Sequence, residues 1–415
     1  MSVGIRKLTD RAAADRPLDG LSEPAAHSVE RRRFLAQALG GACVLCGAGA
    51  VAHCLGGERL GFAGPALAQP GPAQPAGDDR FVADARYWEA KGEVAACKLC
   101  PRQCEVPRDE RGYCGVRENR GGQYKTLVYS RPCSLAIDPI EKKPLFHFLP
   151  ASQAFSLATA GCNIECKFCQ NWQTSQMRPE QVESIYAPPS QIVDLAKSKG
   201  CASIAFTYTE PVVFYEYMFD IAAQARRQGV HSVMISNGYI QKQPMTDLCK
   251  ELAAVKIDLK AFTESFYQDV CHGQLRPVLD TLELLKSLGI WFEIVVLIIP
   301  TLNDGEDECR NMCRWIKETL GPDPPVHFTR FHPMYKLENL PSTPVDTLTR
   351  NYQIARAEGL RYPYVGNVPG HAGENTYCHS CGKQVIQRVG YVTRSQLKPG
   401  GECPYCQAKI AGFWG

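Results

Sequence analysis

The sequence predicts an α/β protein in which a parallel sheet curls into a partial (β/α)6 barrel between two cysteine-rich segments. Three observations support this. From Phe155 onward, short apolar runs alternate with amphipathic helical segments, cysteines cluster directly after the first run, and Cys-x2-Cys pairs lie on both sides of the alternating region. The 415 residues are enough for two or three domains with a sizeable hydrophobic core.

The N-terminus is expected to be a leader followed by a linker. The run Arg31-Arg32-Arg33-Phe34 precedes a weakly apolar stretch and resembles a twin-arginine export signal, with Ala68 ending a possible cleavage site. The leader would cover residues 1–68, and a Pro-, Gly- and Ala-rich linker residues 69–85. The alternative is a basic turn before a short amphipathic helix. The leader is too weakly hydrophobic to predict a stable membrane span.

Residues 86–150 form the N-terminal cysteine-rich segment, which carries four potential metal ligands. The four thiols are those of Cys97, Cys100, Cys104 and Cys114. Loops rich in Pro, Arg and Gly separate them, so a metal is expected to order the segment. A second [4Fe-4S] cluster and a zinc ion both suit four thiolates, and plain loop cysteines are the structural alternative.

The barrel is expected over residues 151–366. Its predicted strands cover residues 155–159, 203–208, 231–236, 255–259, 291–299 and 327–331, and its predicted helices cover residues 191–199, 212–228, 244–253, 276–288 and 306–319. Strands that alternate with helices predict right-handed crossovers. Functional groups should therefore gather at the carboxyl ends of the strands.

The first predicted strand leads into Cys162, Cys166 and Cys169, at the spacing Cys-x3-Cys-x2-Cys. Three thiolates at this spacing can hold three irons of a [4Fe-4S] cluster and leave the fourth iron without a protein ligand. S-adenosylmethionine can chelate that iron. One electron from the cluster then cleaves S-adenosylmethionine to methionine and a 5'-deoxyadenosyl radical. The alternative is a zinc knuckle or a set of reduced structural cysteines.

Polar residues follow the next three predicted strands. Glu210 comes just after the second, Asn237-Gly238 just after the third, and Asp258-x-Lys260 spans the end of the fourth. Because these strand ends share one edge of a parallel sheet, the residues should meet the cysteines there. Each has a simpler explanation: a first-turn helix acid for Glu210, an ordinary turn for Asn237, and a strand-end salt bridge for Asp258 and Lys260.

The last segment, residues 367–415, is expected to be a metal-binding ribbon. Cys378-x2-Cys381 and Cys403-x2-Cys406 are two knuckles separated by a hairpin-like stretch that includes residues 384–392. Paired knuckles at this distance resemble a zinc ribbon or rubredoxin fold, in which four thiolates hold one zinc or iron ion. Zinc is favoured, since a closed structural site needs no redox change.

The segment 138–148, with Gly161-Cys162-Asn163 and Cys169-Gln170-Asn171-Trp172, resembles the AmmeMemoRadiSam-system radical SAM enzymes. These are relatives of pyruvate formate-lyase activating enzyme, and the resemblance runs from about Cys97 to the C-terminus.

The resemblance implies cofactor contacts. Glu210 would accept a hydrogen bond from the ammonium of S-adenosylmethionine, and Asn237 would meet its carboxylate or ribose. Asp258 would bind a cation or the ribose, and Lys260 the cofactor carboxylate. His327, Arg330 and His332, at the end of the sixth predicted strand, would lie within reach of the adenine or substrate.

The expected function is reductive cleavage of S-adenosylmethionine, followed by hydrogen abstraction from a substrate that the motifs do not identify. Alternatives are a glycyl-radical-enzyme activase acting on a partner protein, a modifier of a peptide, nucleic acid or metabolite, and an exported iron-sulfur or metal carrier without catalysis. The expected partners are an electron donor of flavodoxin or ferredoxin type and a possible protein substrate. With a net charge of +3, the chain shows no evident nucleic-acid surface. The leader favours export, whereas the chemistry and the twenty cysteines favour a reducing cytoplasm.

Overall fold

The computed structural model describes residues 79–415. The predicted leader, its cleavage site and residues 69–78 of the predicted linker lie outside the described residues. The described chain begins with a 3-10 turn at Asp79–Phe81. None of the helices within residues 79–415 is both long and apolar enough to cross a membrane.

Two small antiparallel sheets form the N-terminal part. The six strands are β1 Ala83–Asp84, β2 Trp88–Lys91, β3 Val94–Cys97, β4 Glu105–Val106, β5 Arg117–Arg120 and β6 Gln123–Thr126. One sheet has the order β1-β6-β5 and the other the order β2-β3-β4. The second sheet fixes the first cysteine loop, because Cys97 at the end of β3 donates its backbone N–H to the carbonyl of Cys104 at 2.8 Å.

A central sheet of eight strands runs in sequential order along the chain. It consists of β7 Ser134–Pro139, β8 Gln153–Ala158, β9 Ser203–Phe206, β10 His231–Ser236, β11 Ala254–Asp258, β12 Trp291–Ile298, β13 Val326–Arg330 and β14 Pro363–Gly366. β7 pairs with β8 antiparallel, and all the other neighbours are parallel. The parallel strands are mostly buried, as helices on the outer face require.

Eight α-helices accompany the sheet within the described residues. They are α1 Trp172–Ser175, α2 Pro189–Ser198, α3 Tyr215–Arg227, α4 Lys242–Leu248, α5 Glu264–Asp269, α6 Leu275–Leu288, α7 Glu306–Trp315 and α8 Val345–Ala357. Local sequence explains several of their ends. α2 begins at a proline, and α6 ends at Gly289, whose φ of 69° closes the helix in the left-handed conformation. The last turns after α7 form a π-helix at Ile316–Leu320.

The predicted α/β architecture with a parallel sheet is confirmed, and all six predicted strands are present. The sheet also contains two strands that the sequence analysis did not include, the antiparallel β7 and the seventh parallel strand, β14. β14 has only four residues and begins at Pro363, so it carries a weak strand signal. β7 is partly exposed and contains Asp138 and Pro139, which also lower a strand prediction.

The C-terminal segment packs against the amino ends of the sheet strands. It contains β15 Thr376–Tyr377, β16 Gln384–Val389 and β17 Val392–Ser395, paired as an antiparallel sheet. The Phe413 ring lies 5.1 Å from the ring of His231, the first residue of β10. Buried Arg388 donates to the Phe146 carbonyl at 2.8 Å. The segment therefore covers the end of the barrel opposite to the carboxyl strand ends.

Candidate active site

A cavity of about 310 Å³ opens at the carboxyl ends of the strands. Its lining comes from the segments that follow β7 to β11, and from side chains of β12 and β13, so the sheet curls around it as a partial barrel. The predicted site residues that line it are Cys162, Cys166, Cys169, Glu210, Asn237, Asp258 and Lys260. The structure thus brings together the residues that the strand-end pattern singled out.

The three cysteines lie in a loop that backbone hydrogen bonds hold in place. Gly161 has a φ of 100°, and a Cβ there would lie 2.7 Å from Val116 and 3.0 Å from the Cys114 carbonyl oxygen, so only glycine fits. Farther along the loop, Glu165 donates its N–H to the Cys271 carbonyl at 3.0 Å. The loop is therefore fixed against both the N-terminal segment and the chain after α5.

The donor set of this loop fits a cubane cluster. Burial raises the pKa of the Cys162 thiol well above its ordinary value, so a bound cation is needed to hold it as a thiolate. Within residues 79–415, no cysteine lines the cavity besides these three, which leaves one corner of a four-iron cluster without a thiolate. The residues to hold a [4Fe-4S] cluster with one open iron are thus present.

Glu210 is buried and tied to two strand ends. Its carboxylate accepts hydrogen bonds from the Ser236 hydroxyl at 2.7 Å, from the Asn237 N–H at 2.8 Å and from the Val212 N–H at 3.1 Å. Burial raises the pKa of Glu210 to about 7, although these hydrogen bonds act in the opposite direction. The side chain caps the 3-10 turn Pro211–Phe214 and also lines the cavity, so the helix-cap and ligand explanations are compatible.

Asn237 links the third strand end to the cysteine loop. Its side-chain amide donates to Asn163 Oδ1 at 2.9 Å and lies 3.9 Å from the sulfur of Cys162. Its own Oδ1 accepts the Tyr239 N–H at 2.8 Å. Gly238 has a φ of 74°, and a Cβ there would come within 3.0 Å of Ile257. The Asn-Gly pair is therefore both a tight turn and a contact to the first cluster ligand.

Asp258 and Lys260 form the strand-end salt bridge that was the simpler explanation for the motif, with 3.3 Å between Asp258 Oδ2 and Lys260 Nζ. A second lysine, Lys256, contacts Asp258 Oδ1 from the same strand. Burial alone would raise the pKa of Asp258. The positive charges of Lys256 and Lys260 outweigh this effect and hold the pKa of Asp258 below its usual range. Burial alone would lower the pKa of Lys260, but the nearby Asp258 raises it above its ordinary value. The wall thus carries two cations for one carboxylate.

Lys256 and Cys271 were missed by the sequence analysis. Lys256 sits in the middle of an apolar strand, where a buried charge needs a partner, and that was an available signal. The Cys271 thiol is hydrogen-bonded to the Cys166 thiol, which lowers the pKa of Cys166. No local sequence motif indicates a role for Cys271, because its contact with Cys166 forms only when the cysteine loop is folded.

A second cluster of polar side chains on the cavity wall is centred on Asp138. Its carboxylate accepts from Lys142 at 2.8 Å, from Lys143 at 2.5 Å and from the Tyr208 hydroxyl. Burial lowers the pKa of Lys143 to about 8. The segment 138–148 that carried the family resemblance therefore contributes side chains to the same cavity.

His327 lies outside this cavity, near the amino end of β13. Its Nε2 is 2.7 Å from the Glu293 carboxylate, and that carboxylate also accepts the backbone N–H groups of Phe146 and His147. The group is fully buried beneath the C-terminal segment. The expectation that His327 reaches adenine or substrate is therefore wrong, because the ring points to the other end of the barrel.

The C-terminal cysteines form a closed four-thiol site. The sulfurs of Cys378 and Cys406 are 3.6 Å apart, those of Cys381 and Cys403 are 3.7 Å apart, and all four lie within 4.8 Å of one another. A tetrahedral zinc ion with Zn–S bonds of about 2.3 Å requires sulfurs about 3.8 Å apart. The geometry fits one metal ion in a zinc-ribbon-like module.

The chain is similar in sequence to a known superfamily and to several known proteins. The radical SAM superfamily model matches residues 156–316. An uncharacterized protein of Methanocaldococcus jannaschii, MJ0808, is 48% identical over 328 residues, which cover 78% of this chain and 97% of that protein. The pyruvate formate-lyase-activating enzyme of Clostridium pasteurianum is 22% identical over 160 residues, which cover 38% of this chain and 66% of that enzyme.

Among solved structures, a domain of pyruvate-formate lyase-activating enzyme from Bacteroides vulgatus aligns with a TM-score of 0.36 and 16% identity, covering 40% of this chain and 99% of that domain. With the sequence matches and the cysteine loop at the mouth of the curled sheet, the chain belongs to the radical SAM superfamily. Within it, the chain has distant similarity to pyruvate formate-lyase activating enzyme.

Proposed function

We propose that this protein cleaves S-adenosylmethionine reductively in the cavity at the carboxyl strand ends and uses the resulting radical to remove a hydrogen atom from a substrate. The observation that supports the proposal is the convergence of three thiols, Glu210, Asn237, Asp258 and Lys260 on one cavity. A [4Fe-4S] cluster bound there would supply one electron to the sulfonium of S-adenosylmethionine, and its cleavage would give methionine and a 5'-deoxyadenosyl radical.

The residues of the chain divide the remaining tasks among them. Cys162, Cys166 and Cys169 supply the three thiolates. The carboxylate of Glu210 accepts the cofactor ammonium in a charge-assisted hydrogen bond, while its bonds to Ser236 and Asn237 fix its orientation. Backbone hydrogen bonds hold the cysteine loop, and the backbone N–H of Asn237 holds Glu210, so the site is preorganised.

The lysines of the wall act on the anionic end of the cofactor. Lys260 keeps its positive charge because Asp258 lies beside it, and it lines the cavity where a carboxylate can reach it. Lys256 balances the remaining charge of Asp258. The Phe168 ring lies 5.5 Å from the Lys260 ammonium and gives the wall an apolar side that excludes water.

Formation of 5'-deoxyadenosine tests the proposal. Anaerobically purified full-length protein, supplied with dithionite and S-adenosylmethionine, should release this nucleoside. Cys166→Ala should reduce the release by at least about 1000-fold, because removing one thiolate leaves the cluster without its normal attachment. The control is Cys133→Ala, since Cys133 does not line the cavity and should leave release unchanged. Equal release by Cys166→Ala and the wild type would refute the proposal.

A glycyl-radical-enzyme activase is the second candidate, and the similarity to the activating enzyme of Clostridium pasteurianum supports it. In that case the radical would remove hydrogen from a backbone glycine of a partner protein. The readout is a stable organic radical on a candidate partner that carries deuterium at its glycine α-carbons, with the deuterium appearing in 5'-deoxyadenosine. Deuterium transfer from a labelled small molecule instead would exclude the activase role.

A further inference from the structure

The N-terminal segment gathers its four thiols around a second, smaller cavity. Cys97, Cys100, Cys104 and Cys114 all line it, and so does Arg117. Cys97 ends β3, Cys100 and Cys104 lie in the β3–β4 turn, and Cys114 lies just before β5, so two different sheets contribute to the arrangement. Such convergence from separate elements is typical of a built site rather than of loop cysteines.

The spacing of these thiols distinguishes a site for an iron-sulfur cluster from a site for a single metal ion. Among residues 79–415, only the C-terminal cysteines form a group of three or more metal-ligating side chains whose ligand atoms lie within 4.8 Å of one another. A tetrahedral zinc site needs that close spacing, because each Zn–S bond is only about 2.3 Å long. The four N-terminal thiols share a cavity, but no three of their sulfurs lie within 4.8 Å of one another, so they do not match a single tetrahedral ion. Ligands to the separate irons of a cluster lie farther apart than ligands to one ion.

A buried cation faces the same cavity. Arg117 is 1% exposed, and its Nη1 lies 4.0 Å from the sulfur of Cys97. It pairs with Glu216, but its Nε has no hydrogen-bond partner among the described residues. A buried, unpartnered N–H on a charged group is costly unless an anion accepts it. A [4Fe-4S] cluster with four thiolates is such an anion.

The N-terminal cavity lies directly beside the radical SAM loop. Asn163, the neighbour of Cys162, lines it, and Arg102 from the N-terminal turn donates to the Asn163 carbonyl at 2.9 Å. A Cβ on Gly161 would lie 3.0 Å from the Cys114 carbonyl oxygen. The two cysteine sites are therefore adjacent, and the backbone around Cys162 contacts both of them.

From these observations we infer that the four N-terminal thiols bind a second [4Fe-4S] cluster, which relays single electrons to the Cys162 site. Four thiolates occupy every iron, so no position remains for substrate, and electron transfer is the chemistry left to the site. A low-potential flavin or iron-sulfur carrier gives one electron to the second cluster. The second cluster passes this electron to the cluster at Cys162, and reductive cleavage of the sulfonium of S-adenosylmethionine consumes it. No bond or proton changes at the second cluster. The relay rests on the proposed function, whereas the metal assignment does not.

Metal content tests the assignment independently of catalysis. The triple variant Cys162→Ala/Cys166→Ala/Cys169→Ala, purified anaerobically, should retain about four irons and four sulfides per chain, against about eight of each in the wild type. Its reduced form should give an EPR signal that S-adenosylmethionine does not change. Zinc in place of iron in this variant, or loss of all iron, would overturn the assignment, even if the wild type releases 5'-deoxyadenosine.

The order of reduction in the wild type tests the relay without any variant. After rapid mixing with a reduced flavodoxin-type donor and S-adenosylmethionine, freeze-quenched samples should show the cofactor-insensitive EPR signal before the cofactor-sensitive one. Simultaneous rise of both signals, or the opposite order, would exclude a relay while leaving the metal assignment intact.

A variant completes the test. Cys97→Ala/Cys100→Ala should slow reduction of the Cys162 site by the protein donor by at least tenfold, while the rate with dithionite stays within about twofold because a small reductant reaches the site directly. Cys133→Ala is the matched control and should match the wild type with both reductants. Equal slowing with both reductants would indicate a structural role and contradict the relay.

Discussion

Glu210 illustrates how one side chain serves both the fold and the site. It caps a 3-10 turn, fixes the backbone of Asn237 and lines the cavity, so three elements depend on a single buried carboxylate. Asn237 passes the constraint on to Asn163, beside Cys162. A substitution at Glu210 should therefore affect both cofactor binding and the position of the cysteine loop.

Glu210→Gln tests the proposed ammonium contact. The amide oxygen can still accept backbone hydrogen bonds, but it lacks the negative charge, and a hydrogen bond to a charged group contributes about 1.5–3 kcal/mol. We expect about a 10- to 100-fold weaker affinity for S-adenosylmethionine with unchanged iron content. Titrating the cofactor-induced change of the EPR signal measures this affinity. Unchanged affinity would show that Glu210 only caps the turn.

Cys271→Ala tests the thiol beside Cys166. Hydrogen bonds to cluster sulfurs raise the reduction potential, so losing one should lower it. A single hydrogen bond of about 1 kcal/mol corresponds to about 40 mV for a one-electron couple. The measurement is an EPR-monitored redox titration, with Cys201→Ala as the control for loss of a distant buried thiol. A potential equal to the wild type would contradict this role for Cys271.

Single residues differed in how far the sequence predicted them. Cys162, Glu210, Asn237 and Asp258 were found because each lies at the carboxyl end of a strand or shortly after it, and parallel strand ends meet at one edge. Cys271 could not be found this way. It reaches Cys166 only through hydrogen bonds between two loops that are far apart in the chain, and local patterns do not encode such contacts.

At the level of elements, the C-terminal module has a structural task. It covers the amino ends of the strands, where Arg388 and Phe413 contact the 146–149 segment. Its four-thiol site is therefore at the opposite end from the cavity. A metal held by these four thiols would order a short module whose own hydrophobic core is small.

Cys378→Ser should remove the bound metal ion from the C-terminal module. Because that ion lies far from the cavity, we expect loss of about one zinc per chain and a lower unfolding temperature, with the four irons of the Cys162 site retained. Metal analysis and thermal unfolding on one preparation measure both effects. Cys249→Ser, at a thiol outside the described metal-ligand groups, is the control. Loss of iron rather than zinc would indicate an iron site in the module.

The buried His147 should make stability fall in mild acid. Burial lowers the pKa of His147 to about 4, from an ordinary value of about 6.5. The neutral ring is 2.6 Å from the Ala411 carbonyl and 2.5 Å from the Tyr364 hydroxyl. Since the unfolded chain binds the proton more readily, this contribution is complete above pH 6.5 and is lost as the pH falls towards 4.

We expect the free energy of unfolding to drop by about 1.4 kcal/mol per pH unit below 6.5 because of His147 alone. Urea unfolding of the wild type and of His147→Gln at pH 7.5 and 5.5, under anaerobic conditions, measures this contribution as a difference. His327 contributes in the same direction in both proteins and cancels. An equal drop in the two proteins would contradict the assignment.

Elements with strong periodicity were predicted well, and weak ones were not. The six predicted strands are apolar runs flanked by helices, which leaves little ambiguity. β7 and β14 join the sheet because neighbouring strands offer free edges, which is a property of the assembled sheet. The sequence alone could not show that the curled sheet extends past the sixth strand.

At the level of the whole molecule, residues 79–415 combine three cysteine sites of different geometry on one barrel. The C-terminal thiols are close enough for one ion, whereas the other two sets are more widely spread. The N-terminal thiols lie on one side of the Gly161 backbone and the loop cysteines on the other, at the open end of the barrel. With the inferred second cluster in place, this order, from the N-terminal thiols to the loop cysteines to the cavity, would give electrons a direct route to the cofactor site.

The central claim is that Cys162, Cys166 and Cys169 hold a cluster whose fourth iron binds S-adenosylmethionine. The most direct measurement is electron-nuclear double resonance on the reduced full-length protein with S-adenosylmethionine carrying ¹⁵N in its amino group and ¹⁷O in its carboxylate. We predict coupling of both labels to the cluster, absent in the Cys166→Ala variant. A reduced, fully loaded protein that shows no coupling to either label would contradict the account.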